Sequence, residues 1–475
     1  MPRRTKIVAT LGPASSDEKT LTRMIEAGLD VVRMNFSHGT AKEHGARVEL
    51  VRALARKAGR AVGVLVDLQG PKIRIGRFKN DRITLAPGDK FVLDAECALG
   101  DDGRVGLDYK NLPQDVTPGD TLLLDDGRIV LAVARVKGSC IHTIVEQGGP
   151  LSNNKGINRK GGGLTAPALT DKDMQDIKTA AALKADYLAV SFPRCGDDIR
   201  WARDLMLKAG GRSLICAKIE RAEAVPALAE ILDASDAVMV ARGDLAVEVG
   251  DAVVPALQKR MIRMARERNK LVITATQMME SMINNPIPTR AEVSDVANAV
   301  LDGTDAVMLS AETAAGRYPV ETIAAMARVC LEAEKEEAPS IERRRTAAPE
   351  NTEEAIARAT IFTANGLDIK AVAALTQSGK TALLMSRMNA RVPIYALSSV
   401  VETRRRVTLF RGVYPIAFKG AKSPERALHM AEDELLRRGA VHRGDYIVLT
   451  IGEPIGKAGG TNTMKIVKVG EHRTA

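Results

Sequence analysis

Short runs of consecutive apolar, mostly β-branched residues recur along the first two thirds of the chain, at 6–11, 30–36, 62–68, 187–192, 214–219, 237–240, 271–275 and 306–309. A continuous apolar run suits a strand buried on both faces, which is the condition of a parallel sheet. Between most of these runs the apolar positions shift to helical spacing, at 17–27, 172–183, 252–268 and 290–301. Eight such strands with intervening helices predict a closed (β/α)8 TIM barrel. An open doubly wound sheet is the competing architecture, and eight units in series favour closure.

The alternation fails in two places. Between Leu68 and Tyr187 the helical period disappears, and turn signals such as 87–89, 118–120 and 125–127 separate short runs. That pattern predicts an inserted all-β domain, placed where it would hang over the barrel mouth as a lid. The second break, 332–351, is rich in Glu, Arg, Ala and Pro and reads as a helix end and linker. Beyond it strands and helices alternate again. The expected organisation is therefore a barrel domain at 1–69 and 168–345, a lid at 70–167, and a C-terminal α/β domain at 350–475.

Composition narrows the function classes. No stretch approaches the roughly 20 apolar residues that span a bilayer, and the basic start lacks an apolar leader, so a cytoplasmic protein without a membrane partner is expected. Cys97, Cys140, Cys195, Cys216 and Cys330 are scattered without metal or disulfide spacing, and are expected to be small buried or half-buried residues. The net charge of +10 admits nucleic acid or anionic small molecules as partners. Aromatic content of 3% leaves few stacking platforms for single strands, and the basic clusters 343–345 and 404–406 read as solvated surface, so no nucleic-acid partner is expected.

In such a barrel the chemistry belongs at the C-terminal ends of the strands. Polar residues stand there repeatedly: Arg33, Asn35, Ser37 and His38 after the second run, Asp67 to Arg74 after the third, Lys218 and Glu220 on the fifth, Arg242 to Asp244 after the sixth, Thr276 after the seventh. Residues two apart on a strand share a face, which sets Lys218 beside Glu220. Alone, that could be a structural ion pair. Asp244 from the next strand adds a second carboxylate, and the two could hold Mg2+ (or Mn2+) with positions open to substrate oxygens. This suits phosphoryl transfer, which needs positioning and charge neutralisation. Ser37 to Gly39 could contact phosphate at a helix start, or Ser37 or Thr40 could simply cap that helix. Gly243 could be a plain turn or let a substrate carboxylate reach the backbone. In the C-terminal domain Thr376, Ser378, Gly379, Lys380 and Thr381 follow a strand and open a helix, which makes either an anion site without Walker spacing or an ordinary cap.

Taken together, the strings RMNFSHG (33–39), DLQGPKIR (67–74), VARGDLAV (240–247), TATQMMESM (274–282) and PTRAEVSDVANAVLDGTDAVMLSAET (288–313) resemble pyruvate kinase over nearly the whole chain. The resemblance is to the bacterial, potassium-independent branch. It implies transfer of phosphate from phosphoenolpyruvate to ADP in glycolysis, giving pyruvate and ATP, by a homotetramer. It further implies that Lys218 neutralises the phosphoryl group in flight and that Glu220 and Asp244 bind the divalent metal. Arg33 would bind phosphate, and Gly243, Asp244 and Thr276 the substrate carboxylate, with Thr276 also where the enolate is protonated. Asn35, His38, Arg74 and Lys155 match nucleotide-side positions. Ala246 stands where many members have glycine.

Members that need K+ hold it with residues matching Asn35, Ser37, Asp67 and the position of Leu68. Here Lys72 replaces their glutamate, so its ammonium is expected to substitute for K+, unless it is only a solvated hinge residue. The family's C-terminal domain often binds a phosphorylated effector. At 376–381 the donors suit one phosphate, and Glu453 in the later loop disfavours a second, with Lys457 partly offsetting it, so a sugar monophosphate activator is expected. Two other classes remain to be separated: a metal-dependent barrel lyase or aldolase acting on pyruvate or phosphoenolpyruvate, which would not need ADP, and a catalytically silent basic protein that retains RNA.

Overall fold

The computed structural model describes residues 2–336, 348–420, 423–455 and 459–471. The expected domain limits at 1, 345 and 475, the cluster 343–345 and Lys457 lie outside them. By internal packing the chain divides into two compact units, 1–66 with 183–187 and 265–475, and 67–182 with 188–264.

Eight parallel strands close into a barrel: β1 (Lys6–Thr10), β2 (Val31–Asn35), β3 (Gly63–Asp67), β4 (Tyr187–Val190), β5 (Leu214–Ile219), β6 (Ala237–Ala241), β7 (Leu271–Ala275) and β8 (Ala306–Leu309). Each neighbours the strands before and after it, and β1 completes the circle against β8 in the register Lys6 to Ala306. Six of the eight are fully buried along their length, which is why they appear in the sequence as unbroken apolar runs. The surrounding helices carry clear start signals. Thr40 with Glu43 and Thr289 with Glu292 form reciprocal capping boxes at Ala41–Lys57 and Arg290–Leu301. The helix expected over 252–268 is shorter, Val254–Glu267, preceded by a 3-10 turn at Asp251–Val253.

The segment after β3 carries a six-stranded sheet in the order Ile157–Arg159, Thr121–Leu124, Ile129–Lys137, Cys140–Gln147, Lys90–Asp94, Arg104–Gly106, with a separate pair, Arg82–Leu85 and Gly149–Ser152. Phe91, Leu93, Leu122, Leu131 and Ile141 fill its core. The expectation of an all-β insert misses one helical turn, Leu112–Asp115, whose Pro113 has the fixed φ that a first helical turn accepts. The C-terminal sheet has five strands, in the order Val413–Ala417, Ile394–Ser398, Ile369–Leu375, Tyr446–Gly452, Thr461–Lys468, the last antiparallel.

Within the first unit the C-terminal domain grips residues at the N-terminal ends of barrel strands. Asp305, just before β8, binds the Arg387 guanidinium, and both side chains are 0% exposed. Arg387 also donates to the Lys270 carbonyl (2.8 Å) before β7, and Arg411 to the carbonyls of Val300 (3.1 Å) and Thr304 (2.8 Å). Lys6 on β1 donates to the Val413 carbonyl (2.6 Å). Arg405 binds Asp186 at 2.9 Å before β4, and the Tyr187 hydroxyl donates to the Arg406 carbonyl (2.6 Å). This corrects the reading of 404–406 as solvated surface: Arg405 is a docking residue. The cysteines are all free, Cys216 and Cys330 buried and the other three half-buried. Among the described residues no helix is long and apolar enough to cross a membrane.

Breaking a buried ion pair strands one charge without a partner, which costs about 3–5 kcal/mol. Asp305→Ala should therefore lower the unfolding free energy by about that amount, read from urea denaturation. A loss under about 1 kcal/mol would show that the pair carries no such weight.

Candidate active site

In the second unit the strand ends build one connected charge network. The Lys218 ammonium, near the end of β5, lies 2.9 Å from Glu220 Oε1 and 3.3 Å from Asp67 Oδ1 at the end of β3. It also donates, at 2.7 Å, to the Ser191 hydroxyl just past β4. Ser191 in turn donates to the Leu68 carbonyl (2.7 Å). The other oxygen of Glu220, Oε2, accepts from the Phe192 backbone N–H (3.0 Å). Phe192 makes that bond from a left-handed backbone, φ 55°, which a bulky residue adopts only when its surroundings over-determine it. Gly70 is required beside them: a Cβ there would lie 2.7 Å from that of Ser191.

Asp244 stands in the first turn of the helix Arg242–Val249, which follows β6 directly. Its Oδ1 accepts from the Lys72 ammonium at 3.0 Å. Lys72 is thus no solvated hinge residue. Gly243 shares that first turn, where backbone N–H groups and the helix dipole favour an anion. Lys72 and Asp244 line a small pocket with Asn158, Phe192, Arg221 and Glu248. Glu248 joins three parts: its carboxylate accepts from Asn158 of the inserted sheet (3.2 Å) and from the Ala222 N–H (2.8 Å), two residues past Glu220, while its own helix carries Asp244. Burial pushes its carboxyl up to about 7.

Burial also raises the Glu220 carboxyl above its ordinary value. Lys218 opposes the rise, and the like charges of Asp244 and Asp67 add to it. An added cation between Glu220 and Asp244 would relieve that repulsion. Among the described residues no group of three or more His, Cys, Asp or Glu is arranged to hold a metal alone. Two carboxylates are a set that suits Mg2+, which keeps several positions for water and substrate oxygens.

Arg74 is bridged to Gly156, the residue after Lys155, and each of the two cations has a partner: Arg74 donates to the Asn154 carbonyl (3.1 Å), Lys155 binds Asp125 (2.7 Å). In the first unit Arg33, in the middle of β2, donates to Thr10 Oγ1 (3.0 Å), and at the end of that strand Asn35 Oδ1 accepts from the Ser37 N–H (3.1 Å). His38 is exposed. The cap of the following helix is Thr40, not Ser37, so Ser37 to Gly39 form a turn ahead of the helix. Thr276 and Gln277, just past β7, both have left-handed backbones (φ 66° and 55°). Their loop is held by buried Glu312, which accepts from the N–H groups of Met279 (3.3 Å) and Ser310 (2.6 Å).

In the C-terminal domain the loop after Ile369–Leu375 opens the helix Lys380–Ser386, with Gly379 left-handed at its cap. Thr376 and Ser378 line an open pocket with Glu353, Thr381, Ser398, Phe418 and Thr461. Thr381, expected as an anion donor, is instead buried, donating to Glu353 Oε1 (2.7 Å) and bonded to Thr461 (2.8 Å). Lys380 lies 3.4 Å from the same carboxylate.

Ser191, Phe192, Glu248 and Glu312 went unread in the sequence. Ser191 had a signal, since it is the one polar residue near the end of the fourth run.

The family model described as "Pyruvate kinase, barrel domain" matches residues 2–323, and "Pyruvate kinase, alpha/beta domain" matches 354–467. The chain is 54% identical over 474 residues to "Pyruvate kinase II" of Salmonella typhimurium, covering 98% of this chain and 99% of that one. It is 53% identical to the "Pyruvate kinase" of Haemophilus influenzae (95% and 96%) and 42% identical to that of Mycobacterium tuberculosis (99% and 99%).

Proposed function

The chain belongs to the pyruvate kinase family, and we propose that it transfers the phosphoryl group of phosphoenolpyruvate to ADP. An oxygen of the ADP β-phosphate attacks phosphorus, the bond from phosphorus to the enol oxygen breaks, and the enolate left behind is protonated on carbon to give pyruvate. The observation that carries this reading is the Lys218 ammonium held among Asp67, Glu220 and Ser191 at the strand ends. Phosphoryl transfer needs positive charge fixed in advance where the transferring group passes, and a buried, bonded ammonium meets that need. Arg33 binds the substrate phosphate, Gly243, Asp244 and Thr276 its carboxylate, and Thr276 the water that delivers the proton. Asn35, His38, Arg74 and Lys155 serve the nucleotide. Glu220 and Asp244 would hold Mg2+ or Mn2+, which when bound supplies further positive charge against substrate oxygens. The domains at 1–69 with 168–345, 70–167 and 350–475 divide the work between catalysis, lid and regulation, in a cytoplasmic enzyme.

Lys218→Met should lower turnover by about three orders of magnitude or more with a much smaller change in substrate affinity, because the contact strengthens mainly in the transition state. The assay couples pyruvate formation to ADP. Pyruvate release without ADP, or a variant keeping a tenth of normal turnover, would count against the assignment.

Potassium independence rests on Lys72. Its ammonium already sits against Asp244, so a fixed positive charge is present without a monovalent ion. Of the residues matching the K+ positions, Asp67 pairs with Lys218 and the Leu68 carbonyl accepts from Ser191. Near-full activity is expected with tetramethylammonium as sole monovalent cation, lost in Lys72→Glu and restored there by K+. A wild type almost inactive until K+ is added would overturn the reading.

The cavity beside Thr376, Ser378, Gly379 and Lys380 is read as the site of a sugar monophosphate activator, acting on a homotetramer. Two findings shape that reading: Thr381 lines the same pocket with its hydroxyl bonded to Glu353 and Thr461, and buried Glu353 offers an acceptor for a sugar hydroxyl rather than for phosphate. Activation should follow a sigmoidal substrate curve and vanish in Lys380→Glu. Activation by a bisphosphate alone, or a monomer in light scattering, would argue against it.

A further inference from the structure

We propose that Ser191 is a positioning residue for Lys218, fixing the direction of its ammonium toward the transferring phosphoryl group. The inference rests on the role of Lys218 given above. Lysine ends in a compact charge on four rotatable bonds, so nearby carboxylates attract it without aiming it. A hydroxyl can aim it when its own proton is committed. Ser191 donates that proton to the Leu68 carbonyl (2.7 Å), which turns its lone pairs to the Lys218 ammonium, also at 2.7 Å. The hydroxyl is 1% exposed as a residue, and the Gly70 backbone presses against it too closely for any side chain there.

The chemistry of the anchor matters as much as its place. Asp67 and Glu220 are anions, and each neutralises part of the charge that the phosphoryl group must meet. Ser191 is neutral, so it holds the ammonium while leaving that charge for the substrate. The next residue, left-handed Phe192, gives its N–H to Glu220. Two consecutive residues thus fix both members of the Lys218 and Glu220 pair, one through a side chain and one through the backbone.

The test compares Ser191→Ala, Ser191→Thr, Lys218→Met and Ser191→Ala with Lys218→Met. Ser191→Ala should lower kcat by about 10–100-fold, the cost of a misplaced group, and leave KM for phosphoenolpyruvate within about twofold. Its Mn2+ affinity, read by electron paramagnetic resonance without substrate, should match wild type, since Glu220 and Asp244 are untouched. Ser191→Thr keeps the hydroxyl and should recover most of kcat. In the Lys218→Met background the alanine should cost nothing further. A full additional loss there, or Mn2+ binding lost together with kcat, would show that Ser191 supports the strand end rather than Lys218. If Lys218→Met alone keeps a tenth of normal turnover, the role of Lys218 falls and this proposal with it.

Discussion

A buried ammonium stays charged only where its protons find acceptors and its charge finds opposite charge. Lys218 meets both conditions at the ends of three strands: Asp67 on β3, Ser191 after β4, Glu220 just past its own β5. Those strands can supply the partners because a parallel barrel delivers every strand end to the same rim, whatever the sequence distance between them. The arrangement also sets its own limit. Lys218 can be moved toward a substrate only as far as its neutral and anionic partners release it.

A second compensation sits next to the first. Asp244 and Glu220 repel one another, and Lys72 screens Asp244 while Lys218 screens Glu220. Each carboxylate therefore has a cation of its own before any metal arrives. A divalent ion must compete with two ammonium groups, which makes its entry an exchange of partners rather than the filling of a void.

The barrel was legible because strands buried on both faces cannot hide their composition, and the inserted domain was legible as the loss of helical period. Thr461–Lys468 was not, since this edge strand is mostly polar and its apolar residues, Met464, Ile466 and Val467, make no run longer than two. Lys218 and Glu220 were paired by the two-residue period of a strand, and Asp244 by its place after β6. Periodicity could not give the partner of Lys72, which lies 172 positions away. Nor could it show that Asp67 serves Lys218, or that Thr381 is turned inward to Glu353. Such facts are tertiary: they depend on which strand ends meet, and one chain's pattern does not state that. Ser191 is different, because the rule that exposed the other strand ends applies to it as well.

The grip of the C-terminal domain on the barrel has one further property. Arg411 and Lys6 bond to backbone oxygens, those of Val300, Thr304 and Val413, and Arg387 reaches the Lys270 carbonyl as well as side chains. A carbonyl is the same in every residue, so these bonds read the course of the main chain and are indifferent to the side chains along it. Two acids add side-chain pegs, Asp305 for Arg387 and Asp186 for Arg405. Residues that offer only a carbonyl to the seam can therefore vary freely, while the acid and the arginine of each peg have to be kept together.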